Sequence, residues 1–135
     1  MNPEDLLRMY PEDLRYHKDH MWLKVSGNRA TIGITYFAQE QLGDIVFVEF
    51  PEVGAKVETN AIIGEIESTK TTSTLEAPVS GKIIEVNKGL EEIPDIINED
   101  PYGRGWIAAM EISNPEEVNA LMDSMRYRNY IEESK

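Results

Sequence analysis

Five residues, Glu67-Ser68-Thr69-Lys70-Thr71, place a primary amine mid-way along a polar stretch between two apolar runs. The flanking runs, Ala61 to Glu67 and Leu75 to Gly81, read as strands. Lys70 therefore falls at a hairpin tip, with its stem projecting into water and its amine available to a modifying enzyme. A turn lysine is ordinarily a solvated charge, and the chain has six others. What sets Lys70 apart is the order around it: Gly54-x-x-Val57, Ile63-x-x-Ile66-Glu67, then Ala77-Pro78-x-x-Gly81-x-Ile83-x-Glu85-Val86. Other groupings are weaker. His17-x-x-His20 has no third ligand at fitting spacing, and the pair reads as exposed histidines. Gly103-x-Gly105 leads into a strand, so it lacks the helix N-terminus of a phosphate loop. No Ser/His/Asp constellation is visible. The chain has no cysteine, which excludes disulfides, thiolate metal sites and a cysteine nucleophile. Any redox chemistry must come from an attached group.

The elements that would position Lys70 are short. Trp22–Val25 and Arg29–Ile34 flank Ser26-Gly27-Asn28, a hairpin signal. Thr35 caps a short helix over Tyr36 to Leu42, which Gly43 closes. Asp44 to Phe50 is mostly apolar, as expected of a strand buried on both faces. Lys82 to Val86 and Trp106 to Ile112 are further strands, and residues 87–105 between them are irregular. Pro3-Glu4-Asp5-Leu6 and Pro11-Glu12-Asp13-Leu14 each suit a first helical turn. Asn114-Pro115-Glu116-Glu117 opens a last helix, with Val118, Leu121, Met122 and Met125 on its apolar face. Many short strands with Gly/Pro punctuation make a β-sandwich or barrel. With a helix at each end the class is α+β, mainly β.

The 135 residues suit one domain with a real core. A net charge of −12 sets the chain against nucleic acid, whose recognition rests on clustered positive charge, and Arg126-Tyr127-Arg128 is too short a cluster to reverse it. The longest unbroken apolar run, Trp106 to Met110, is far below the ~20 residues of a membrane span. Met-Asn-Pro-Glu-Asp has neither the basic nor the apolar region of a signal peptide, so a cytoplasmic location is expected.

Gly54 through Asn87 resembles the lipoyl/biotinyl carriers, a flattened β-barrel (barrel-sandwich hybrid) that presents one lysine on a β-turn. Methionines would flank that lysine in a biotin carrier. Thr69 and Thr71 stand here, which favours lipoyl. The resemblance extends to the glycine cleavage system H protein family. It is carried by Thr31-Ile32-Gly33-Ile34-Thr35, Ala38-Gln39, Leu42 to Glu49, Pro51 to Gly54, Glu67-Ser68-x-Lys70, Ser80 to Asn87, and Asn98-Glu99-Asp100-Pro101-Tyr102-Gly103-x-Gly105-Trp106. The match covers roughly residues 16–122.

The elements divide the chain into a helical arm at residues 1–15 and a C-terminal helix at 114–135, and between them the resemblance implies a lipoyl-carrier domain at 16–113 on which that helix packs. It implies a non-catalytic carrier with lipoic acid in amide linkage to Lys70, with Glu67, Ser68 and Thr69 beside the attachment point. The arm would reach roughly 12–14 Å beyond Cα. Implied partners are a lipoate ligase or lipoyl transferase, then glycine decarboxylase, aminomethyltransferase and dihydrolipoyl dehydrogenase. His20, Met21 and Thr74 would line the cleft that shelters the loaded arm. There the chain departs from the family, which usually has acids at the positions of Met21 and Thr74, able to pair with a cationic amine. Asp19 is the nearest substitute in sequence. The alternative is an H-like lipoate carrier serving a heterodisulfide-reductase-like complex in sulfur oxidation, with a non-amine cargo. A biotin carrier or an unmodified adaptor is a third reading.

Overall fold

The computed structural model describes residues 2–134. Among the described residues nine strands form two antiparallel sheets. In the larger, the order is β1 (Arg15–Tyr16), β2 (Met21–Ser26), β3 (Arg29–Ile34), β9 (Ala108–Ile112), β8 (Gly81–Val86), β5 (Lys56–Val57). The smaller runs β4 (Ile45–Glu49), β6 (Ile62–Ser68), β7 (Thr72–Glu76). Alternate residues point inward, and one core draws on Leu23, Ile32 and Ile83 from one sheet and Val48, Ile66 and Leu75 from the other. At Gly64 and Gly81 a Cβ would lie 2.3 and 2.1 Å from the carbonyl oxygens of Glu49 and Glu111. Only glycine lets these strands approach so closely.

The first hairpin turns at Gly27, with φ 65°. It leads to α2 (Tyr36–Leu42), whose Ala38 N–H donates to the capping Thr35 hydroxyl, and which Gly43 closes at φ 82°. α1 (Pro3–Met9) buries none of its residues. The second Pro-Glu-Asp-Leu piece is not helical. It turns into β1, whose Tyr16 hydroxyl donates to the Pro11 carbonyl. Within residues 87–105 the chain makes a 3-10 turn (Lys88–Glu91) and α3 (Ile96–Glu99).

Two further expectations fail here for identifiable reasons. β4 is not buried on both faces: Val46 is 51% and Phe47 52% exposed. It is an edge strand with one face on the core, and a register shift between Ile45 and Phe47 turns both side chains outward. The C-terminal helix is two pieces, α4 (Glu116–Asn119) and α5 (Ser124–Ser134). Met122 leaves the helix to exchange two backbone hydrogen bonds with Tyr16, and the Asp123 carboxylate then caps the next start by accepting from Arg126 N–H. The phase resets there, so Met125 is 62% exposed. Leu121 stays buried, but Tyr127 and Ile131 carry the inner face of α5. With Leu14, Tyr16 and Trp22 they form a second apolar cluster outside the larger sheet.

Candidate functional site

Lys70 lies at the tip of the β6–β7 hairpin, where Glu67 pairs with Thr72. Ser68 builds the tip. Its hydroxyl accepts from the N–H groups of Lys70 and Thr71, both at 3.1 Å, and lies 3.2 Å from the Thr71 carbonyl. Its own N–H donates to the same carbonyl. A serine–threonine turn of this kind fixes the backbone while leaving side chains free. Thr69, Lys70 and Thr71 are all exposed. The Thr69 N–H donates to the Asp44 carbonyl at 3.0 Å, tying the tip to the loop after α2. Glu67 is exposed beside it, on the outward face that also carries Glu65 and Phe47.

A cleft of about 270 Å³ opens between α2, the start of β2 and the β6–β7 hairpin. His20, Met21 and Thr74, the three residues expected there, all line it, with Phe37, Gln41 and Leu42 on the α2 side. Met21 belongs to the core at 1% exposure and gives the cleft an apolar floor. Asp19 also lines it, so a carboxylate is present on the wall although positions 21 and 74 supply none. Next to it, the Glu76 carboxyl is pushed up from its ordinary value, first by burial and then by its hydrogen bond with Asp19.

The two histidines are not exposed. His17 is 4% exposed, with Nε2 2.6 Å from Asn60 Oδ1. His20 sits at φ 69° and bonds through Nδ1 to the Tyr127 hydroxyl at 2.8 Å. They serve different partners, and the described residues contain no group of three metal-ligand side chains. Burial lowers the His20 pKa below its usual 6.5, only partly offset by Asp19. A group harder to protonate in the folded state adds stability in full above pH 6.5, and that stability is lost as pH falls through the depressed native value. Thermal melts between pH 7.5 and 5 should therefore fall more steeply for the wild type than for His20→Gln. Parallel curves would refute this.

The sequence drew no attention to Tyr127 or Asn98. Tyr127 acts through one hydroxyl on a helix read by its apolar face, and Asn98 through both ends of one amide in a stretch read as irregular, where only the Asn98-Glu99-Asp100-Pro101 motif marked it.

The glycine cleavage H-protein family model matches residues 14–134. The chain belongs to that family. The match runs past residue 122, where the resemblance read from the sequence stops, and takes in α5. The H protein of Symbiobacterium thermophilum is 52% identical over 123 residues, covering 91% of this chain and 96% of that relative. That of Bacillus subtilis is 47% identical over 123 residues, covering 91% and 97%. A crystal structure of the H protein from Mycobacterium marinum superposes with a TM-score of 0.81 at 40% identity, covering 88% and 96%. The mainly-β architecture is thus the H-protein fold. H proteins are lipoate carriers, and this chain is a carrier of the glycine cleavage type. The sulfur-oxidation, biotin and unmodified-adaptor readings find no support in these relatives. Among the described residues no helix is long and apolar enough to cross a membrane.

Proposed function

We propose that Lys70 is the lipoyl attachment residue and that this H protein presents an amine-bearing cargo to the enzymes of glycine cleavage without catalysing a step itself. The supporting observation is an exposed lysine on a hairpin tip braced by Ser68, with a cleft beside it floored by Met21. The site fits the group: the exposed tip leaves room for a long amide-linked arm beyond the lysine stem, and the apolar floor of the neighbouring cleft suits its hydrocarbon part. Lipoate supplies there the dithiolane sulfurs that the chain lacks. Ser68 holds the attachment point. Asp19 offers the cationic end of the cargo the partner that Met21 and Thr74 cannot provide. The remaining partners follow the family: a lipoate ligase or lipoyl transferase, glycine decarboxylase, aminomethyltransferase and dihydrolipoyl dehydrogenase, all met in the cytoplasm. Tethering gives each of them a high effective concentration of the same arm.

Glycine–bicarbonate exchange with the decarboxylase and the lipoylated protein tests the reading. Exchange at the rate of an ordinary H protein is the expected result. A fully lipoylated protein without exchange would overturn the amine cargo.

Recognition should rest on Glu67, Glu65 and their neighbours, which make the tip acidic and suit a positively charged ligase surface. Glu67→Lys should slow lipoylation at low salt and leave the melting temperature unchanged, because exposed charges act on association rate more than on stability. Equal lipoylation rates at low salt would count against it.

A further inference from the structure

Lys70 does not project straight into solvent. A Cβ placed on Gly43 would lie 3.0 Å from Cε and 3.5 Å from Nζ of Lys70, so the lysine stem lies across the bare backbone of Gly43. Gly43 ends α2, and Leu42, Gln41 and Ala38 before it form the α2 wall of the cleft. The loop carrying Gly43 is held by one side chain. Asn98 Nδ2 donates to the Gly43 carbonyl at 2.9 Å and to Gln39 Oε1 at 3.0 Å, while Oδ1 accepts the Ile45 N–H at 2.9 Å. A carbonyl only accepts and an N–H only donates, so these partners fix the orientation of the amide. Between Gly43 and Ile45, the Asp44 carbonyl accepts the Thr69 N–H from the hairpin tip. Asn98 thus joins α2, the seat under Lys70 and the first residue of β4, and the lysine tip rests on the loop it holds.

We infer that Asn98 is a positioning residue for the lipoyl arm. It holds Gly43 as a seat that turns the Lys70 stem along α2 toward the cleft. This rests on Lys70 as the attachment site. Acylation removes the lysine charge but keeps its four-carbon stem, so a steric seat persists where an electrostatic one would vanish. The φ of 82° is what calls for glycine here, and a Cβ would touch the Lys70 stem at Cε and displace it by a few tenths of an ångström. Without Asn98 the Gly43 carbonyl and the Ile45 N–H lose their common anchor, and the arm spends less time in the cleft.

The test compares wild type, Asn98→Ala and Asn98→Asp, each lipoylated in full by a lipoate ligase and confirmed by intact mass. The aspartate keeps the acceptor for Ile45 but cannot donate to Gly43 or Gln39, and it serves if the alanine variant fails to fold. The arm is reduced, and its alkylation by iodoacetamide is timed beside free dihydrolipoamide. Wild type should react more slowly than the free compound. Both variants should react about threefold to tenfold faster than wild type, the factor expected if the seat's hold on the arm is as strong as one ordinary hydrogen bond. A purely structural role would lower the melting temperature without moving the alkylation rate, and that result overturns the proposal. Wild type reacting like free dihydrolipoamide overturns it as well. If wild type accepts no lipoate at Lys70, the carrier reading itself fails and the seat with it.

Discussion

Lys70→Arg should yield a folded protein that gains no lipoyl mass and supports no glycine–bicarbonate exchange. The substitution keeps charge and approximate length, so the acidic tip still meets a cation. The guanidinium, however, stays protonated at any working pH and cannot serve as the acylated nitrogen. Position 70 is exposed, and the turn around it is held by the Ser68 hydroxyl and backbone groups, none of which the change touches. Surface changes away from such features lie within about 0.5 kcal/mol. The melting temperature should therefore match wild type while modification falls to zero, and intact-mass analysis after co-expression with a lipoate ligase reads both species directly. An undiminished lipoyl addition in the variant would move the attachment to another lysine. Lys56 and Lys82, paired across β5 and β8, or Lys18, Lys24, Lys88 and Lys135 would then have to be mapped.

The hairpin that carries Lys70 was legible because its two strands alternate and its tip is polar. That local pattern survives in the fold as β6 and β7. α2 was legible from its Thr35 cap and Gly43 stop. Properties that depend on what lies opposite a residue were not legible. Asp44 to Phe50 is apolar enough for a buried strand, but its place at a sheet edge exposes Val46 and Phe47, and no local pattern encodes strand order. The last helix looked continuous because Val118, Leu121, Met122 and Met125 keep a helical period. The backbone pairing of Met122 with Tyr16 breaks it, a contact across more than a hundred residues. The cleft followed from the family resemblance through His20, Met21 and Thr74. The carboxylate on its wall, Asp19, was placed by the turn before β2 and not by any motif. Asn98 and Tyr127 stayed silent because a single amide or hydroxyl that ties several segments has no periodicity to betray it.

A large loss of stability is expected at Tyr127. Its ring is fully buried, stacked on Tyr16 at 4.7 Å and edge-on to Tyr10 at 5.8 Å. Its hydroxyl lies 2.7 Å from Thr35 Oγ1 and 2.8 Å from His20 Nδ1. It therefore joins α5 to the cap of α2 and to the cleft wall at once. Burial is the main reason that this phenol is hard to ionise, and it stays protonated and able to donate throughout the range in which the protein folds. Tyr127→Ala removes a large aromatic from the second cluster and should cost about 3–5 kcal/mol. For a chain of this size that is roughly 10–20 °C of melting temperature. Tyr127→Phe keeps the ring and loses only the hydroxyl, leaving His20 Nδ1 and part of the Thr35 hydroxyl unmet, at about 1–3 kcal/mol. Urea denaturation of the three proteins separates the parts. An alanine variant less than about 1 kcal/mol below wild type would mean that α5 rests loosely on the larger sheet. A phenylalanine variant equal to wild type would mean that water replaces the hydroxyl. If instead both costs appear in full, the Tyr127 ring and hydroxyl each tie α5 to the larger sheet, to the α2 cap and to His20 on the cleft wall.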